Sequence, residues 1–367
     1  MTLQYDHSAL DLPFDGHPDP DEFIRAAMEW HFSSATGSPF WLKRAESLAF
    51  DPRTDVRGFE DLALFPNVTN ELRDVRAEDL IARGFGPHPD VVGVFESGGT
   101  TGPPKRVVFL REWWDRMLTA QVARLDAHGV PADCSWLVVG PSGPHMLGEA
   151  VRQTAAARAG MWFMIDMDPR WVKKLLAGGR AEEMEAYAEH LIDQAAFILQ
   201  TQDVGVLTIT PPLLERLARR EDLVELIGEK VQAIIWGGAH MDPDTRRLYR
   251  TEVFPEVKLV GIYGSTMVLT GVYERLGSGD DDFCTFDPFS PYVTFSVVDP
   301  DSGRAVPYGE RGQVVMNHVS KSFLLPNNLE RDTAIRVRPL GDQVGDSVAD
   351  VAPVERFDGE AVIEGVY

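Results

Sequence analysis

At 367 residues, with 44% apolar and 25% charged side chains, the chain has the balance of a globular protein with an ample core, built as one large domain or two ordinary ones. A formal net charge of −22 excludes a general nucleic-acid-binding role, because binding a polyanion needs a basic surface. Cys134 and Cys284 lack metal-type spacing, the N-terminus has no basic and apolar leader pattern, and no apolar run reaches span length; together these predict a cytoplasmic chain with reduced thiols and no membrane contact.

Phe23, Ala26, Ala27 and Trp30 recur at helical spacing and predict a helix over 21–33. A loop is expected through SPFW (38–41), then short segments broken by Pro52 and Pro66, and a short helix closing over 80–84. The apolar run 91–95 reads as a strand entering ESGGTTGPPK (96–105). Glycines let a backbone aim several N–H groups at one point. Thr100 and Thr101 add hydroxyl donors and Lys105 a positive charge, so the segment reads as a loop that leaves a strand and wraps phosphates. It matches neither the Walker A pattern nor the Rossmann fingerprint.

Beyond it the pattern alternates. Helices are expected over 112–128, 148–160, 180–201 and 213–220, the last opened by Pro211 and Pro212, and from Asp242 with Pro243 in its first turn. Strands are expected over 135–139, 162–165, 204–209, 231–236 and 258–262. The turns that follow them include PSGPHMLG (141–148), Gly237-Gly238-Ala239 and Tyr263-Gly264-Ser265-Thr266. Such alternation argues for an α/β fold with a largely parallel sheet, helices on both faces and one ligand crevice at the carboxyl ends of the strands. From Phe283 the segments PYVTFSVVDP, RGQVVMNHV and TAIRVRPLGDQV read as β-strands of a smaller β-rich subdomain. The expected division is an α/β core over 1–282, the β-rich subdomain over 283–350 and a tail or hinge remnant over 351–367.

SGGTTGPPK (97–105) resembles the phosphate loop of the adenylate-forming superfamily: acyl-CoA synthetases, nonribosomal adenylation domains and luciferases. Companion motifs follow in the family's order. PHMLG (144–148) stands at its aromatic/His turn, IIWGGA (234–239) at its Gly-Gly turn, Tyr263–Thr266 at its Y-G-x-T-E and Gly341-Asp342 at its Y-x-T-G-D. SPFW and the Phe65-Pro66 pair look most like the phenylacetate–CoA ligase branch. The resemblance implies the large N-terminal domain of these enzymes: layered α/β sheets with a small β-rich subdomain. It also implies ATP and Mg2+, and attack of a carboxylate on the α-phosphorus with release of pyrophosphate. Such chemistry rests on positioning and charge stabilisation.

By the same resemblance Ser97, Gly98, Gly99, Thr100, Thr101, Gly102 and Lys105 would hold the β- and γ-phosphates. Gly237, Gly238 and Ala239 would pass along the adenine and substrate edge, where a side chain would obstruct. Tyr263 would stack near the adenine, in one segment with Gly264 and Ser265. Thr266 would contact the α-phosphate and Asp342 would accept both ribose hydroxyls, a task suited to a carboxylate. His145 would border the acyl pocket, with Trp236, Met146, Met267 and Val268 as apolar walls. Thr266, Lys105 and His145 form the expected catalytic set.

Two departures stand out. Met267 occupies the place of the family's Mg2+-holding Glu, and a thioether is a poor ligand for a hard cation, so the metal ligands stay unassigned. About 25 residues follow Asp342, where the family carries a mobile C-terminal domain of roughly 100 residues, so that domain is expected to be absent. This pattern is similar to the atypical adenylating proteins of griseoluteate-type phenazine antibiotic biosynthesis. The leading reading is therefore adenylation of an aromatic acid in secondary metabolism. The expected partners are the acid, a downstream acyl-accepting enzyme or carrier protein, and a second copy in a homodimer. Two alternatives stay open: an ATP-dependent diazotase that activates nitrite toward an aromatic amine, and a nucleotide-binding partner protein without turnover.

Overall fold

The computed structural model describes residues 8–13, 16, 18–97, 103–279 and 282–354, with the backbone of 356–357 and 360–361. Gly98, Gly99, Thr100, Thr101 and Gly102 lie outside the described residues, as does most of the expected tail.

The first long helix, Pro20–Phe32, starts where Asp19 accepts hydrogen bonds from the amides of Asp21 and Glu22 and Pro20 occupies the first turn. It buries Phe23, Ile24, Ala27 and Met28. SPFW is not a loop. Ser38 Oγ accepts from the Trp41 amide at 3.3 Å and Pro39 takes the first helical position, so Pro39–Ala45 is helical. The short helix expected over 80–84 is instead a pair of 3-10 turns, Ala77–Leu80 and Arg83–Phe85.

Strands β1 (Val91–Glu96) and β2 (Arg106–Leu110) form an antiparallel pair that brackets the glycine-rich loop. A six-stranded sheet follows, from β3 (Ser135–Gly140), β4 (Trp162–Asp166), β5 (Val204–Ile209), β6 (Ala233–Gly237), β7 (Lys258–Ser265) and β8 (Thr270–Tyr273). Its order is β4-β3-β5-β6-β7-β8, parallel from β4 through β7 and closed by antiparallel β8. Helices Pro169–Ala177 and Glu221–Lys230 add to those expected. Tyr263-Gly264-Ser265 continues β7 rather than turning away after 262, because these residues pair with Val272, Gly271 and Thr270 of β8.

The β-rich part forms a five-stranded antiparallel sheet ordered β10-β11-β12-β13-β9. Its strands are β9 (Thr285–Phe286), β10 (Val293–Val298), β11 (Arg311–Val319), β12 (Leu324–Val337) and β13 (Ser347–Pro353). A boundary at 350 would cut through β13. One continuous core joins the layers, holding Phe23 and Trp41 with Leu207, Ile234, Phe295 and Met316. The amino-terminal helices also buttress the later sheet through polar contacts: Trp30 Nε1 donates to the Lys321 carbonyl at 2.8 Å and Trp41 Nε1 to the Leu324 carbonyl at 3.0 Å. Among the described residues no helix is long and apolar enough to cross a membrane.

Candidate functional site

A cavity of about 300 Å³ opens at the carboxyl ends of β3, β5, β6 and β7, where β12 and β13 lean over the six-stranded sheet. Strand alternation divides its lining into two arms. One lies on the sheet face covered by helices Arg111–Ala127 and Met146–Ala157, and holds Val138, Thr208, Ile262 and Tyr273 with Gln121, Ala150 and Val151. The other lies between the two sheets and holds Trp236, Tyr263, Phe286, Asp332 and Asp350. Among the described residues Thr208 Oγ1 and Trp236 Nε1 are buried at this cavity without a hydrogen-bonding partner.

The rim is tightly cross-linked. The Ser97 amide donates to the Lys105 carbonyl at 3.0 Å and the Lys105 amide to Ser97 Oγ at 3.1 Å, which closes the base of the glycine-rich loop. Glu96 accepts from Arg106 Nε at 2.9 Å and pairs with Arg170. Burial pushes its carboxyl up, but the hydrogen bonds from Arg170 and Arg106 prevail and hold it below the ordinary range. The Glu96 amide donates to the Pro144 carbonyl at 2.8 Å, tying the loop to the 141–148 turn. That turn is pinned in its own right, because Asp166 at the end of β4 accepts from the Ser142 amide at 2.9 Å and the Ser142 hydroxyl at 2.7 Å. His145 is thereby held at the cavity, 8% exposed. Burial first, and then the charge of Arg170, lower its pKa, so its ring is neutral at neutral pH.

Gly237, Gly238 and Ala239 line the cavity at the end of β6. Gly238 has φ +78°, which a side chain would strain. At Gly237 a Cβ would sit 2.6 Å from the Ile262 carbonyl oxygen, so the neighbouring strand itself demands glycine there. Tyr263 donates its phenol to Asp332 Oδ2 at 3.0 Å, and its ring tilts against Phe286 and Phe295. Burial, with Asp332 adding to it, pushes that phenol well above its ordinary pKa. At the far end of this arm Cys284 donates to Glu274 Oε2 at 2.9 Å; burial pushes the thiol well up and leaves it inert.

Thr266 and Met267 enter the cavity from the tight β7–β8 connection. Leu269, fully buried, takes the left-handed conformation with φ +56°. The two carbonyls at the end of this turn are clamped: His318 Nδ1 donates to Val268 O at 2.7 Å and Trp113 Nε1 to Leu269 O at 2.9 Å. Because its partner is a carbonyl, His318 carries its proton on Nδ1, and Nε2 accepts from Ser320 Oγ at 2.7 Å. His31 Nε2 donates to the Ser320 carbonyl at 2.7 Å. Burial depresses His31 to about 4 and His318 to about 3.

The fold thus gathers Ser97, Lys105, His145, Gly237, Gly238, Ala239, Tyr263, Gly264, Ser265 and Thr266 around one cavity, with Met146 and Met267 among its walls; Trp236, expected to wall the acid, faces the arm between the sheets instead, because it alternates with Ile235 along β6. Among the described residues, two that were expected there do not line the cavity. Val268 is packed in the core and contributes its carbonyl to His318 instead of a wall. Asp342 lies exposed in the β12–β13 hairpin, outside the lining. The carboxylates that do line the cavity are Glu330, Asp332 and Asp350. Sequence reasoning missed them because it read the strand only from Thr333, whereas β12 begins at Leu324, and because Asp350 reaches the cavity through β13, which returns antiparallel beside β12.

The cavity lining suits a nucleotide: the side-chain-free Gly237-Gly238 turn, the hydroxyls of Ser97, Ser265 and Thr266, and the cation of Lys105. A resident metal fits less well. Met267 presents sulfur where a hard oxygen is wanted, and among the described residues no group of three or more His, Cys, Asp or Glu could hold an ion.

The family profile described as AMP-binding enzyme matches residues 76–320. The chain belongs to the AMP-binding enzyme family. Comparison with curated protein sequences finds no match. Among solved structures, this AMP-binding family member is similar to 2-hydroxyisobutyryl-CoA ligase in complex with R3-HIB-AMP. There the identity is 14% and the TM-score 0.63, over 99% of this chain and 78% of the ligase. The thioesterification state of the same ligase, with 2-HIB-AMP and CoA, gives 16% identity and a TM-score of 0.63, over 94% and 73% of the two chains. ATP-bound MatB from Rhodopseudomonas palustris gives 18% identity and a TM-score of 0.48, over 72% of this chain and 48% of that one. This family member thus spans about half the length of MatB and about three quarters of the hydroxyisobutyryl ligase. The ligase likeness establishes the fold, the layered α/β architecture of the N-terminal domain of adenylate-forming enzymes.

Proposed function

We propose that this protein activates an aromatic carboxylic acid as its acyl-adenylate at the expense of ATP, within phenazine-type secondary metabolism of the phenylacetate–CoA-ligase-like branch. One observation carries the reading. The two arms belong to one cavity, and Gly237–Ala239 and Thr266 line it at the strand ends where the two sheet faces come together, so a nucleotide in one arm and an acid in the other would share a junction at the α-phosphate. The similar hydroxyisobutyryl ligase carries an acyl-AMP, the product of that geometry.

In this scheme the arm between the sheets takes the adenosine. Tyr263 packs against the base, and Asp332 accepts the ribose hydroxyls in place of Asp342, since an ionised carboxylate offers acceptors alone. Ser97 and Lys105, with the loop they close, hold the β- and γ-phosphates. Thr266 donates to the α-phosphate, and neutral His145 borders the acid without repelling or pairing with its carboxylate. Mg2+ supplies charge neutralisation on the phosphates when bound. The protein's share of catalysis is alignment of carboxylate and α-phosphorus with donors preset around developing charge. The acyl group then passes to a separate enzyme or carrier protein in the cytoplasm. The units 1–282 and 283–350 act as two walls of one domain, and a homodimer is the proposed assembly.

ATP–pyrophosphate exchange across a broad panel of aryl acids tests the reading. Absence of exchange and of AMP with every acid defeats it. AMP formation that requires nitrite plus an aryl amine would transfer the same site to diazotisation. Met267 gives independent weight to a further reading, nucleotide binding without turnover. Calorimetry showing ATP or AMP bound with no pyrophosphate released would select that one.

A further inference from the structure

Strand β5 is buried at all six positions, and in its sequence VGVLTI Thr208 is the single polar side chain. Alternation puts Thr208 on the face of Val206, toward helices Arg111–Ala127 and Met146–Ala157, in the arm opposite the proposed adenosine arm. The surrounding wall is apolar: Val138, Ala150, Val151 and Ile262. Within it the Thr208 hydroxyl, on a residue 5% exposed, has no partner in the protein. Valine has the same shape and would fill this place with no polar atom to satisfy, whereas an unpaired buried hydroxyl works against folding. Gln121, 6% exposed, and Tyr273, 5% exposed, add two further polar groups to the same arm. Gln121 Oε1 already accepts from Thr154 Oγ1 at 3.4 Å, so it is the unpartnered Thr208 hydroxyl that an arm built only to enclose a hydrocarbon ring would not need.

We propose that Thr208 determines specificity by hydrogen-bonding a hydroxyl, amino or ring-nitrogen group on the end of the acid remote from its carboxylate. The inference rests on the proposed adenylation and narrows its substrate class from aromatic acids at large to heteroatom-bearing ones. A site that reserves a buried hydrogen bond for its ligand rejects the analogue that lacks it, because the protein group is then left unpaired.

The test uses matched pairs of aryl acids, single-ring and fused three-ring, each with and without one distal hydroxyl. Equilibrium binding is read by calorimetry and turnover by pyrophosphate exchange. In the wild-type protein the polar member of at least one pair should bind about tenfold or more tightly. Thr208→Val should bring that ratio to near unity, and Thr208→Ser should keep most of it. Thr208→Val without ligand should melt no lower than wild type, since it removes an unpartnered hydroxyl at constant volume. Equal binding within every pair, or a ratio untouched by Thr208→Val, overturns the inference even where exchange is robust. Selective binding with no exchange from any acid leaves the inference standing and defeats adenylation. No binding by any acid defeats both.

Discussion

Mild acid should destabilise this protein through two histidines that never touch the ligand. His31 and His318 flank Ser320, each donating or accepting within a fully packed setting, with folded-state values of about 4 and about 3 against an ordinary 6.5. The folded values lie below the unfolded one, so the unfolded chain binds protons more readily. The stabilisation is fully present above 6.5 and is lost as pH falls through 6.5 toward the folded values. At pH 5 an exposed imidazole is almost wholly protonated and these two are almost wholly neutral. The difference is about 1.5 logarithmic units for each ring, or about 2 kcal/mol, giving about 4 kcal/mol for the pair. That is a large share of a typical domain's stability. Urea unfolding followed by tryptophan fluorescence, at about pH 7.5 and pH 5, measures it. The control is His31→Gln with His318→Gln, which keeps amide donors for the Ser320 and Val268 carbonyls and removes the titration. Depressed carboxylates such as Glu96 and Asp166 also lose stability on acidification, but equally in both proteins. If wild type and the double variant lose the same free energy between the two pH values, the two rings are not titrating as their burial requires. Because Val268 ends the turn that carries Thr266 and Met267, nucleotide affinity should weaken over the same pH interval in wild type and not in the variant.

Trp113→Phe removes the donor to Leu269 O and leaves a buried carbonyl unpaired beside a left-handed leucine; the urea midpoint should fall by the equivalent of about 1–3 kcal/mol, and an unchanged midpoint means the clamp carries no strain. Asp332→Asn should weaken ATP binding about tenfold or more in calorimetry, while Asp342→Asn should stay within about twofold, and the opposite ranking would return the ribose to the hairpin carboxylate. Met267→Glu buries an acid in a place 4% exposed, so the ligand-free melting temperature should drop and Mg–ATP should restore it more than ATP with EDTA does; equal rescue by the two would show that no metal approaches this position.

Legibility in the sequence followed the physics of each segment. The five parallel strands of the six-stranded sheet were readable because buried strands such as VGVLTI and AIIWG are continuous apolar runs separated by helices with their own period, whereas the short antiparallel β8 was not expected. Pro39–Ala45 was hidden because Ser and Pro signal both a loop and a helix start, and only a capping geometry separates the two. The cavity-lining Gly237, Gly238, Tyr263 and Thr266 were singled out through their order along the chain. Asp332 was not, because it lies just before the expected start of the strand at Thr333, whereas β12 begins at Leu324. The pairing of Tyr263 with Asp332 spans 69 residues, a relation that local pattern does not encode. For the same reason the sequence offered Asp342, which sits in the right order but on the solvent side of its hairpin.

The location of the cavity explains why residues so remote from it are spent on polar contacts. The arm between the sheets, proposed here for adenosine, has one wall in β6 and β7 and the other in β12 and β13, with Tyr263 and Asp332 spanning the gap and His240 Nδ1 reaching Val351 O at 2.7 Å. Two walls from different sheets hold a ligand only if the sheets cannot slide. The helices Pro20–Phe32 and Pro39–Ala45 oppose sliding at the opposite end of β11 and β12. Trp30, His31 and Trp41 each bond a main-chain carbonyl there, at Lys321, Ser320 and Leu324. His318 then carries the same register from Ser320 to Val268, and so to Thr266. The chain of contacts runs from the amino-terminal helix to the α-phosphate position proposed here, through side chains that are all buried. Substitutions in that first helix should therefore loosen the site without touching it, by letting one wall shift against the other.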